Sequence, residues 1–282
     1  MGVLRAIGLA FLGFIALLMI ITIVAILMSR LGTPTQATNT TQVVNITNEP
    51  AGIYYNGPQT TALAGYYCIY NATVASDGWI ENSTYTPNPN AYHPPGFMVQ
   101  LNALLSNGLS LQNVYGGIQE GGSILLEWAV LNTHTHPWQF LSLTTGPPAS
   151  NCGWLVIKVV NGTAYFGYSQ DGRSIDWYAS YPVGSSEIAP GTVTNLVITG
   201  PGNSAGVEFK SLYAVLALWY WNGTAWVPAP TGVAGIYHWY GIYGTLEFVA
   251  HAWVYNYNNT AVVTWPEPVN KSVPVPTPEF KP

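Results

Sequence analysis

The sequence predicts an all-β protein, a two-sheet antiparallel β-sandwich of jelly-roll or concanavalin-like form, preceded by one N-terminal transmembrane helix. Three observations carry that expectation. Beyond residue 50 the apolar residues keep no sustained helical period, whereas short apolar runs recur between turn signals. Asn161-Gly162, Asp171-Gly172 and Asn222-Gly223 each separate two such runs, and these dipeptides tolerate the positive φ angles that tight hairpins need. Ala6 to Ser29 is uncharged and apolar between Arg5 and Arg30. As a helix it spans roughly 36 Å, enough for a bilayer core of about 30 Å.

In chain order, residues 1–31 read as an uncleaved membrane anchor, with a processed leader resembling archaeal pilin leaders as the alternative. Residues 32–49 are rich in Thr, Asn and Gln and read as a polar tether. The folded body is expected over 50–265, with strands near Phe97–Leu105, Ser123–Leu131, Trp154–Val160, Thr163–Tyr168, Thr192–Thr199, Leu212–Trp221 and Leu246–Tyr255. Leu155, Ile157 and Val159 alternate on one side of Asn161-Gly162, and Ala164, Phe166 and Tyr168 follow on the other, which is a hairpin pattern. Prolines at 266, 268, 274, 276, 278 and 282 deny residues 266–282 a helix or central strand and predict an extended tail.

Only 7% of the 282 residues are charged, with 7 Lys plus Arg against 12 Asp plus Glu, so no phosphate-tracking basic patch can form and nucleic acid is excluded as a partner. The 11 Trp and 19 Tyr support a packed core and argue against disorder. Eight Asn-x-Ser/Thr sequons follow the anchor, at Asn39, Asn45, Asn71, Asn82, Asn161, Asn222, Asn258 and Asn270, and they favour an exported body carrying N-linked glycans at some of these sites. Cys68 and Cys152 there form either one disulfide or a pair of buried thiols. In strong acid the carboxyls are neutral and 7 Lys/Arg with 5 His bound the side-chain charge at +12, a low self-repulsion for this length. The composition therefore suits an acidic habitat.

Three segments in the same order carry a family resemblance. Pro50-Ala51-Gly52-Ile53 opens the body. Ala91-Tyr92 leads to Val99-Gln100-Leu101-Asn102-Ala103-Leu104-Leu105 and then Leu111-Gln112-Asn113-Val114. Gly200-Pro201-Gly202-Asn203-Ser204-Ala205 leads through Phe209 and Leu216–Gly223 to Pro228-Ala229-Pro230 and Tyr243-Gly244-Thr245-Leu246-Glu247. Over about residues 50–260 this resembles the thermopsin family, acid peptidases of thermoacidophilic archaea.

The resemblance implies water-mediated peptide hydrolysis at low pH by acidic side chains, without cofactor, metal or covalent intermediate. A base that works at about pH 2–3 must be a carboxylate, because His and Lys are protonated there. Glu247 matches the Glu of the family's Asp-Thr-x-Glu pattern, Gln112 matches the Gln of its Trp-x-Gln-Asn/Asp segment, and Glu127 lies in Leu125-Leu126-Glu127-Trp128 where the family places an acid. The expected roles are Glu247 as base, Gln112 as oxyanion donor and Glu127 as the second carboxyl. The chain departs from the pattern at Gly244, where the family has Asp, and at Ser110-Leu111, which lacks the family's Trp. Each candidate also has a structural reading: Glu247 at a sandwich rim, Glu127 outward on an edge strand, Gln112 in a bend. The alternative function is a non-catalytic cell-envelope or virion surface protein of the same fold that binds glycan or protein. His134-Thr135-His136 is a weak metal signature beside Pro137, and neither a Ser-His-Asp set nor a phosphate loop is present.

Overall fold

A computed structural model of the chain describes residues 42–81, 84–87, 96–120, 123–135, 139–202, 205–235 and 247–282. The anchor expected at 1–31 and residues 32–41 of the tether lie outside them. Among the described residues the chain is all-β, in two antiparallel sheets with no helix.

The ten-stranded sheet runs in the order β1 (Gln42–Glu49), β16 (Phe248–Tyr257), β17 (Thr260–Trp265), β13 (Gly206–Trp221), β3 (Ala62–Glu81), β9 (Cys152–Val160), β10 (Thr163–Ser169) and β11 (Asp176–Pro182). To this path β14 (Trp226–Pro228) adds on β13, and β4 (Thr84–Pro87) on β3. The seven-stranded sheet runs β15 (Thr231–Ala234), β2 (Ala51–Tyr55), β12 (Gly191–Thr199), β5 (Met98–Leu104), β6 (Leu109–Glu120), β7 (Ser123–Asn132) and β8 (Gln139–Pro148). One core fills the space between them: Ile53, Leu101, Leu111 and Leu196 from one sheet meet Leu63, Ile157, Phe166 and Leu216 from the other. Alternate residues of each strand supply these side chains, which is why the core-facing sets follow a period of two.

The hairpin signals hold for a geometric reason. Asn161 and Gly162 have φ of 50° and 73° between β9 and β10, and an Asn-Gly pair occupies such angles with little strain. Cys68 and Cys152 are register partners on β3 and β9 and form a disulfide, which settles the choice left open by their number.

One boundary differs from expectation, and the C-terminal stretch packs in a way the sequence did not predict. The stretch read as tether to residue 49 contains β1, paired with β16 from Gln42 opposite Asn256 to Glu49 opposite Val249. Its Val44 packs against the core and Ile46 is buried within it, while Val43, Asn45 and Thr47 are exposed, so a polar-looking segment is a sheet edge with one wet face. Residues 266–282 form no strand, as their prolines require, yet they are not a free tail. Val269, Val273 and Val275 cover Val215, Tyr255 and Val262 on the outer side of the ten-stranded sheet, and Phe280 is buried among Trp154, Trp219 and Trp226. Trp226 Nε1 donates to the Phe280 carbonyl at 2.7 Å, and the Glu279 and Phe280 amides donate to the Gly172 carbonyl at 2.8 and 3.2 Å. Phe280→Ala is expected to cost about 3 kcal/mol, the usual loss for an emptied aromatic site. Urea unfolding measures it, and a loss under about 1 kcal/mol would show that the aromatic seat contributes little.

Candidate active site

Two of the three candidate residues, Gln112 and Glu127, share the outer face of the seven-stranded sheet. On β6, Leu111 and Tyr115 enter the core, and Asn113 between them donates across the sandwich to the Val156 and Gly167 carbonyls at 3.0 and 2.9 Å. Gln112 and Val114 must therefore face the other way. On β7, Leu126, Trp128 and Val130 are core, so Glu127 and Ala129 share the outer face with Gln112.

Register fixes their neighbours. Gln112 stands opposite Asn102 of β5 and Ala129 of β7, while Val114 stands opposite Gln100 and Glu127. β12 extends both rows, placing Asn195 opposite Asn102 and Val197 opposite Gln100. One row thus reads Asn195, Asn102, Gln112, Ala129, and the next reads Val197, Gln100, Val114, Glu127. Gln112 and Glu127 are diagonal neighbours at about 7–8 Å between their backbones, within reach of long side chains. Glu127 does not lie on an edge strand, because β7 is paired on both sides, by β6 and β8. Gln112 lies within β6 and not in a bend.

Glu247 immediately precedes β16 and is half-buried. Burial, and secondarily the charge of Glu247, push the Glu127 carboxyl from its ordinary 4.5 up to about 7. The two acids, far apart in the chain, are thus close enough to repel. That repulsion, added to burial, favours the protonated form of Glu127.

The rest of the site is built from amides. Asn102 Nδ2 donates to Asn195 Oδ1 at 2.8 Å and to Gln100 Oε1 at 3.3 Å, and Asn195 Nδ2 donates to the Thr192 carbonyl at 2.8 Å. Asn102 Oδ1 is buried without a hydrogen-bond partner among the described residues, leaving an open acceptor in the row that Gln112 continues. Beneath Gln112, Tyr178 Oη donates to Asn113 Oδ1 at 2.6 Å, and burial first, then the Glu127 charge, raises that phenol above its usual range. Asn113 therefore clamps β6 to the opposite sheet next to Gln112. Gln100, Asn102, Asn195 and Tyr178 are not among the residues that the sequence points to. The signal available for the first two was Gln100-Leu101-Asn102, amides on one face of a strand whose other face is Val99, Leu101 and Ala103.

A second buried acid stands at Asp77, only 2% exposed. Burial raises it from 3.8 to about 6, and the nearby Gly96 amide offsets part of the rise. Both Glu127 and Asp77 have folded-state pKa values above their unfolded ones. Their contribution to stability is present below about 4 and is lost as pH rises through about 6 and 7. The melting temperature is expected to be higher at about pH 3.5 than at about pH 8, the reverse of proteins held by carboxylate ion pairs. Calorimetry at the two pH values checks this, and a higher melting temperature at the alkaline end would contradict it.

The two histidines among the described residues are both engaged. His134 Nε2 meets the Asn107 carbonyl at 3.1 Å, and His251 stacks on Trp265 at 5.3 Å between ring centres. His136 and His238 lie outside the described residues. Among the described residues no group of three or more His, Cys, Asp or Glu is placed to hold a metal, and no helix is long and apolar enough to cross a membrane.

No family model matches the chain, and no curated protein matches it. Among solved structures, one similar chain is the crystal structure of a functionally unknown protein from Saccharomyces cerevisiae, 13% identical with a TM-score of 0.29, covering 65% of this chain and 93% of that one. A likeness at that level carries no argument about activity.

Proposed function

We propose that this chain is a membrane-anchored, extracytoplasmic acid peptidase of thermopsin type, with Ala6–Ser29 as its anchor and a jelly-roll or concanavalin-like sandwich as its body. The observation that carries the proposal is the Glu127 carboxyl, pushed up to about 7 by burial and by Glu247. A buried acid raised by a neighbouring acid is a candidate for proton transfer at a functional site.

In the proposed reaction Glu127 holds the proton and Glu247 is the carboxylate. Glu247 takes a proton from water as the water oxygen attacks the scissile carbonyl carbon. The Gln112 side-chain N–H donates to the developing oxyanion. Glu127 then protonates the departing amine nitrogen as the C–N bond breaks, releasing one carboxylic acid and one amine. Proton transfer from Glu247 to Glu127, directly or through water, restores the starting state. In the row Asn195, Asn102, Gln112 the first two are buried and bonded to each other, so Gln112 is the member left to meet a peptide group.

The testing experiment incubates the full chain with denatured protein at about pH 3 and at about pH 8, where Glu127 has lost its proton. Cleavage in acid that falls as pH passes about 7 is expected. Absence of cleavage at both pH values removes the proposal. The second reading, a non-catalytic envelope or virion surface protein of this fold, is favoured by Gly244, which stands where the family has Asp. It predicts that absence.

A further inference from the structure

We propose that the sugars on the described sequons lie on the outer face and at the turn end of the ten-stranded sheet, away from the face that carries Gln112 and Glu127, and that Tyr70, Trp221 and Tyr257 seat the sugars on Asn71, Asn222 and Asn258. The proposal rests on the export of the body but not on its catalysis. Sequon asparagines among the described residues are all exposed, and all belong to the ten-stranded sheet, its turns or the stretch that covers it. Asn45 is on β1, Asn71 on β3, Asn161 in the β9–β10 turn, Asn222 in the β13–β14 turn, Asn258 in the β16–β17 turn, and Asn270 in the covering stretch. The seven-stranded sheet is not short of asparagine. Asn102, Asn107, Asn113, Asn132 and Asn195 lie on its strands or turns, and none has Ser or Thr two residues later. Composition therefore does not explain the one-sided pattern. The side left bare is the one that carries Gln112 and Glu127.

The second observation is aromatic. Tyr70 and Tyr257 are 57% and 43% exposed, among the most exposed large side chains, and each immediately precedes a sequon asparagine. Tyr70 is the extra residue where β3 bulges against β13, and its ring packs on Tyr213 at 5.5 Å, so it lies beside Asn71 on the same outer face. Apolar ring faces left in water forgo the burial free energy that a sugar's C–H face would return.

The third observation is the Asn222 turn. Asn222 Oδ1 accepts from the Thr224 and Ala225 amides at 3.0 and 2.8 Å and from Thr224 Oγ1 at 2.9 Å, so the sequon threonine already holds the asparagine. Asn222 Nδ2 makes no hydrogen bond among the described residues and is exposed. Beside it opens a cleft of about 390 Å³ lined by Gln59, Glu187, Tyr220, Trp221 and Asn222, an aromatic wall with polar groups of the kind that holds a saccharide. In the modification the asparagine nitrogen bonds to the sugar C1 as the C1–O bond of a lipid-phosphate-linked donor breaks. The nitrogen loses one proton, and the lipid phosphate leaves with the electron pair. The amide keeps one N–H, so Asn71 can still donate to Ser211 Oγ, now at 3.1 Å.

The test compares full-length chain from an N-glycosylating host with the same chain from a non-glycosylating one. Glycopeptide mass spectrometry is expected to find sugar on Asn71, Asn222 and Asn258, with each Asn→Gln change removing one glycan mass. Tyr70→Ser and Tyr257→Ser are expected to lower the melting temperature more in the glycosylated chain than in the bare one. An intact mass equal to the sequence mass, or equal losses in both forms, overturns the proposal. Protease treatment of intact cells separates the causes: a bare chain that is digested outside overturns the sugar coat alone, and a bare chain protected inside overturns the export reading with it.

Discussion

Glu127→Gln and Glu247→Gln are each expected to lower turnover in the proposed acid peptidase reaction by about 10²–10⁴-fold, the range for loss of a general acid or base. The double variant should lose little more than the worse single one, because groups that act as a unit are not additive. The control is internal to the chemistry. Glu127→Gln removes a carboxyl that burial and Glu247 hold at about 7, so it should raise stability at neutral pH while it removes activity. Loss of activity together with loss of stability would mark Glu127 as structural only. Glu247→Gln takes away the secondary cause of the Glu127 shift, so the alkaline limit of any residual activity should move to lower pH. Pseudo-first-order cleavage of a peptide across pH 2–8, in roughly unit steps, reads both effects.

That a carboxyl pair is legible at all in one sequence follows from scarcity. With only 12 acids in 282 residues, few carboxyls compete for the role, and Leu125-Leu126-Glu127-Trp128 is an acid inside an apolar strand. The sheet's period then decides the face: core residues at 126, 128 and 130 turn 127 outward. The strand pattern was similarly open to reading where alternation was strong, as at β9 and β10. It failed where alternation was one-sided and polar, as in Gln42–Glu49, because an edge strand needs only Val44 and Ile46 on its inner face. That the extended C-terminal stretch covers the sheet was not legible for a different reason. Proline forbids ladder hydrogen bonds but not side-chain packing, and Val275 and Phe280 pack where no ladder is made. Gln100, Asn102 and Asn195 were missed because their partnership runs across β5 and β12, and register between strands is a tertiary fact.

Breaking the Cys68–Cys152 bridge is expected to have the largest effect on stability. The bond closes a loop with a sequence separation of 84, and for a loop of that length the chain-entropy account gives about 4.5 kcal/mol in the unfolded state. The loop contains β4 through β8 together with the last half of β3, so it holds three strands of the site, β5, β6 and β7. Without the bridge, those strands keep their places only through sheet pairing and the core. The bond itself lies on the outer side of the ten-stranded sheet, since Tyr67 and Ile69 face the core on either side of Cys68. Its removal therefore leaves the packing between the sheets intact, and because the denatured chain is freed of its loop and becomes less compact, the urea midpoint should fall while the slope rises. Cys68→Ser with Cys152→Ser, measured beside the parent with and without reductant, separates the bond from the thiols. A parent that loses about 2–5 kcal/mol on reduction and a double variant indifferent to reductant are expected. If reduction leaves the parent's midpoint unchanged, the bridge does not hold the β4–β8 excursion and the sheets alone fix the position of Glu127.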